Sequence, residues 1–82
     1  MDGMIPDNWQ RALERRRAHF HIVESTTLRL VHDEDDRIRI DRFGHVCWFY
    51  CYQAPSPADL DAMEAFALSA NSPHWCAQLM QQ

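Results

Sequence analysis

The sequence predicts an α+β domain: a three-stranded antiparallel β-meander with an N-terminal helix and two C-terminal helices on one face, in the order α-β-β-β-α-α. Two observations predict it. Apolar residues recur at helical spacing near both ends of the chain, and between them the period drops to two through "TLRLV" and "RIRID", followed by the aromatic and cysteine-rich run "HVCWFY". Each helical segment also carries its own start signal, and the middle segments are divided by an Asp-rich connection and the turn sequence "DRFG".

The first helix is expected from Asn8 to Val23. Asp7 can cap it, Gln10 lies three residues on as in a capping box, and Pro6 lies just before. Trp9, Ala12, Leu13, Arg16, Phe20 and Val23 form one stripe, interrupted by Arg16. In the first strand Leu28 and Leu30 share a face, with Arg29 and Val31 on the other. In the second, Ile38 and Ile40 go together. Asp41 at the first turn position and Gly44 at the fourth predict a type I turn closed by a left-handed glycine, which sets Asp41 opposite His45.

That turn fixes a register. Ile40 faces Val46 and Ile38 faces Trp48; pairing Val31 with Arg37 sets Leu30 opposite Ile38 and Leu28 opposite Ile40. The inward face then holds Leu28, Leu30, Ile38, Ile40, Val46, Trp48 and Tyr50. The reverse face holds Arg29, Arg37, Arg39, Cys47 and Phe49, with Cys51 and Val31 towards its ends.

A second helix starts at Ser56 as cap, with Pro57 at the first helical position and Asp59 at the third. Leu60, Met63, Ala67 and Ala70 make its stripe, with Phe66 beside it. Ser72 and Pro73 repeat the signal and predict a short third helix carrying Trp75, Leu79 and Met80.

Composition narrows the class. Eighty-two residues, 46% hydrophobic and 24% charged, make a single small globular domain over residues 1–82 with a modest core. So small a core leaves little room for a catalytic cleft, and no enzyme is expected. There is no apolar run long enough to span a membrane and no secretory pattern at the start. Three cysteines, an odd number, suit a reduced compartment, so a cytoplasmic protein is expected. Net charge is −4, and every base is Arg.

Arginine and an aromatic on an open sheet suit either a protein hot spot or stacking on bases beside phosphates. Arg29, Arg37, Arg39 and Phe49 are therefore the first candidate binding residues. The second candidate is the acidic turn of Asp33, Glu34, Asp35 and Asp36, which could imitate phosphates. "RRR", Arg15 to Arg17, points three ways around a helix and reads as a solvated face.

Zinc would need His45 with Cys47 or His74 with Cys76. The second pair diverges if it lies on a helix, and no CxxC spacing exists. Cys47 and Cys51 on one strand lie about 13 Å apart, too far to share a metal or a disulfide. No phosphate-cradling glycine loop or nucleophile arrangement occurs, and no cofactor is expected.

The expected function is a non-catalytic protein-binding module, an inhibitor or adaptor of phage or mobile-element type, for example anti-CRISPR-like. Its partner would be a larger host protein or nucleoprotein complex, with no membrane involved. Direct nucleic-acid binding on the arginine face is the alternative, a small zinc-binding domain a further one, and a homodimer through an open sheet face or edge fits the same surface.

Overall fold

The computed structural model describes residues 4–17, 27–32 and 34–80. Among them, the order is α1 (Asp7–Arg17), β1 (Thr27–Val31), β2 (Ile38–Phe43), β3 (Val46–Cys51), α2 (Pro57–Ser69) and β4 (His74–Leu79). The sheet runs β1-β2-β3-β4 and is mixed: β1, β2 and β3 pair antiparallel, whereas β4 joins β3 in parallel. The α+β class holds. The expected three-stranded antiparallel meander with three helices is corrected to four strands and two helices among the described residues.

Both helices cover one side of the sheet. Trp9, Ala12 and Leu13 from α1 meet Ala62, Met63, Phe66 and Ala67 from α2 over Leu30, Ile38, Ile40, Cys47, Phe49 and Cys51. Phe49 is at the centre. Its ring lies 6.3 Å from Trp9, 6.1 Å from Phe66 and 5.7 Å from Trp75, the last two edge-on as ring quadrupoles favour.

Local chemistry explains the helix ends. Pro6 rather than Asp7 takes the entry to α1, its carbonyl accepting from the Gln10 N–H at 3.0 Å; Asp7 sits in the first turn, where the helix dipole favours an acid. The continuation expected to Val23 lies outside the described residues. At α2 the capping box forms as expected: the Asp59 N–H donates to Ser56 Oγ, and the Ser56 N–H donates to Asp59 Oδ2.

The helix ends just before Ser72 and Pro73, where a third helix is expected to start. Asn71 is left-handed (φ 58°), the Ser72 N–H reaches back to the Ala67 carbonyl and the Asn71 N–H to that of Leu68. This is a Schellman ending, and Pro73 follows it as prolines often do. Ser72 and Pro73 therefore stop α2 rather than open a third helix. The chain then returns beside β3 as a strand, the geometry that a helical crossover makes available.

The β2–β3 hairpin differs from expectation in one decisive respect. Its turn has two central residues, Gly44 and His45, with Phe43 opposite Val46. Gly44 is left-handed (φ 60°) and His45 is not, the pattern of a type II′ turn. Ile40 consequently faces Phe49 instead of Val46, and Ile38 faces Cys51 instead of Trp48. A shift of three residues is odd, so every β3 side chain changes face. Cys47, Phe49 and Cys51 go into the core, and Val46, Trp48 and Tyr50 come out.

The reason is energetic. Phe has no polar atom and is fully buried, whereas Trp and Tyr keep a polar tip that the open side accommodates. In β1 a register irregularity between Arg29 and Val31 turns both Leu30 and Val31 inward, so Val31 leaves the arginine face where it was expected.

Candidate protein-docking face

Alternation along the strands builds the side of the sheet opposite the helices. The register sets Arg29 of β1 beside Asp41 of β2, Arg39 beside Tyr50 of β3, and Asp41 beside Trp48. From β4, Cys76 falls opposite Trp48 and Gln78 opposite Tyr50. Trp48 stacks on Tyr50 (centroids 6.1 Å, interplanar angle 19°), and Phe43 meets Trp48 edge-on at 6.4 Å. The Arg39 guanidinium carbon lies 4.2 Å from the Tyr50 ring centre, within cation–π range.

Asp41 organises the charges. It is only 3% exposed and accepts from Arg29 Nε at 3.1 Å, with Arg39 Nε at 3.7 Å from its other oxygen. One nearly buried carboxylate thus holds two guanidiniums in place and offsets part of their charge. The result is an amphipathic, preorganised surface: three aromatic rings in contact, flanked by two oriented arginines.

Of the expected binding residues, Arg29 and Arg39 share this face. Arg37 does not. It precedes β2 and turns to Asp35, donating from Nη2 and Nε at 3.3 Å, and it lines a cleft with Trp9, Ile38, Asp59 and Met63. That cleft encloses about 40 Å³, space on the order of a single water. Phe49, expected beside the arginines, is 0% exposed on the helix side because of the hairpin shift. Trp48 and Tyr50 take the aromatic role. A two-residue Gly-His turn, read in place of a three-residue one, would have found them.

The acidic turn is largely engaged within the fold. Glu34 accepts from Arg15 and from Arg16 (3.0 Å), and also from the His32 N–H (3.0 Å). Burial alone would raise its pKa, but the His32 N–H and Arg16 together hold it down at about 2. Asp35 is buried and accepts from the Trp9 indole N–H (2.8 Å) and the Arg37 backbone N–H (2.9 Å). Burial would raise it as well; Arg37 and Trp9 outweigh that and lower it. These two carboxylates clamp α1 to the β1–β2 connection and are not a free phosphate-like array. Asp36 is exposed, and Asp33 lies outside the described residues. Of "RRR", Arg15 and Arg16 share Glu34 instead of diverging into solvent.

Arg42 escaped the sequence reading. Its strand parity matches Ile38 and Ile40, so it points under the helices, 3% exposed. Its Nε donates to the Ala70 carbonyl at 3.0 Å and to Ser72 Oγ at 3.3 Å, a cation at the C-terminal end of α2. Burial raises the thiol pKa of Cys47, Cys51 and Cys76, which favours the protonated, weakly nucleophilic form. His74 and Cys76, now on a strand, do share a face. Among the described residues no group of three or more His, Cys, Asp or Glu side chains could hold a metal ion, and no helix is long and apolar enough to cross a membrane. Compared with known proteins, the chain matches no family model and no curated protein.

Proposed function

We propose that the chain is a non-catalytic protein-binding module that docks through the open sheet face of Arg29, Arg39, Phe43, Trp48 and Tyr50. The observation that supports it most is the Arg39–Tyr50–Trp48–Phe43 row, in which an arginine and three aromatics are packed in sequence on the side away from the helices. Trp, Tyr and Arg dominate protein hot spots because they bury large area at low entropic cost. Within this reading the module acts as an inhibitor or adaptor by occupying a surface of a larger protein, as accessory proteins of phage and mobile elements, anti-CRISPR-like ones included, are built to do.

Nucleic acid is the competing occupant of the same rings. Asp41 weighs against it, because a carboxylate between the two arginines repels phosphate and the chain as a whole carries −4. The test is affinity capture with tagged wild-type and Trp48→Ala chains from native host extract, followed by direct binding to the captured protein. Loss of at least about 30-fold in affinity on Trp48→Ala, with an unchanged circular dichroism spectrum, is the expected hot-spot result. Equal affinity for both chains would defeat the reading. Retention on single-stranded DNA that falls steeply with salt would replace it with the nucleic-acid one.

A further inference from the structure

The two edges of the sheet are built differently. β1 is irregular between Arg29 and Val31 and carries a charged side chain, two devices that discourage edge-to-edge pairing. β4 has neither. From His74 to Leu79 it contains no charged residue and no proline, and it pairs with β3 without a break. Among the described residues its outer side has no strand beside it.

The free backbone groups of β4 can be assigned. The Met80 N–H donates to the Cys51 carbonyl at 2.7 Å, so even-numbered residues turn their N–H and C=O towards β3. By alternation Trp75, Ala77 and Leu79 present theirs outward. The side chains of these three residues point to the helix side, and α2 does not cover them fully: Leu79 is 46% exposed. On α2, Asp59 and Phe66 face Trp9, which leaves Leu60 and Leu68 on the opposite flank, with Leu68 62% exposed. An uncharged edge and a helix flank carrying Leu60, Glu64 and Leu68 therefore lie on the same border of the molecule.

We propose that two copies of the chain join along β4, antiparallel about a two-fold axis at Ala77, into one continuous sheet. The geometry selects this occupant. A two-fold axis normal to the sheet keeps both sets of helices on one side and gives an isologous contact. Centring on Ala77 pairs it with itself and Trp75 with Leu79 of the second copy. Centring on Cys76 would seat Leu79 opposite Pro73, which has no N–H to give. α2 packs over β3 and β4. With strands about 4.8 Å apart, the two α2 helices come to roughly 10 Å from each other, a normal helix-packing distance. Leu60 and Leu68 then gain a partner. Glu64, on the same flank, comes near its own copy, a like-charge contact that limits the affinity. This dimer is independent of what docks on the open face.

Sedimentation velocity on the purified full chain at rising concentration reads the dimer directly. Ala77→Arg puts two cations together at the axis and is expected to leave a monomer with an unchanged circular dichroism spectrum. Glu64→Gln is expected to lower the dimer dissociation constant several-fold. Register is read by Gln78→Cys. Residue 78 falls opposite Cys76 of the second copy at a Cα separation of about 4.5 Å, within disulfide range. Oxidation with diamide should yield a covalent dimer from this variant and none from the wild type. A wild-type chain that stays monomeric at every concentration overturns the proposal. So does a folded Ala77→Arg variant that still dimerises, or a Gln78→Cys chain that does not cross-link.

Discussion

The two faces of the sheet use the same residue types for opposite ends. On the helix side Phe49, Phe66 and Trp9 interlock with no exposed area at Phe49 or Phe66, and the Trp9 indole N–H is satisfied by Asp35. On the open side Phe43, Trp48 and Tyr50 touch one another but keep a share of their surface in water, with Arg39 laid over Tyr50. Aromatic side chains alternate between these roles residue by residue along β3. The lesson is that the pleat, by turning Phe49 inward and Trp48 and Tyr50 outward, separates the stabilising ring from the rings left at the surface.

Substitutions that separate stability from binding sharpen this comparison. Phe49→Ala should have the largest effect on stability, a loss of about 3–5 kcal/mol in urea or thermal unfolding, because a fully buried ring leaves a cavity among three others. Trp9→Phe keeps most of the packing but leaves buried Asp35 without its indole donor; a loss of about 1–3 kcal/mol is expected. An unfolding midpoint equal to wild type would mean that this hydrogen bond adds nothing.

Acid comes next. Glu34 is held at about 2 against an ordinary 4.5, and Asp35 is lowered too. A depressed carboxylate stabilises the fold above its unfolded pKa, and that contribution is lost as pH falls from about 4.5 towards 2. For Glu34, allowing for solvent screening, the loss is on the order of 1 kcal/mol. Urea titrations through that window should show it in the wild type and less of it in Glu34→Gln. The smallest stability change belongs to Trp48→Ala, about 1 kcal/mol or less, although it should remove most of the partner affinity. A large stability loss at Trp48 would erase the division between the faces.

How much of this was legible follows from the strands. β2 alternates Ile with Arg, so its parity could be read at once, and Arg29 and Arg39 were correctly set on the side away from the helices. β3 reads "VCWFYC", apolar at every position, and carries no parity of its own. Its orientation hung on the turn: the two-residue Gly44-His45 turn shifts the pairing by three residues and puts Phe49 in the core in place of Trp48. The acidic turn reads as a free phosphate-like candidate because its partners, Trp9, Arg15 and Arg16, lie far away in the chain.

By itself, then, the sequence determined what short-range chemistry controls: the α+β class, the capped start of α2 at Ser56, and the inward side of β2. Those features depend on neighbours within a turn or on a period repeated in place. Tertiary structure alone decided the face of β3, the burial of Arg42 beneath the end of α2, and the strand identity of His74–Leu79. Each depends on a partner distant in the chain. An all-apolar strand or an uncharged hexapeptide has no local preference strong enough to settle its conformation before that partner arrives.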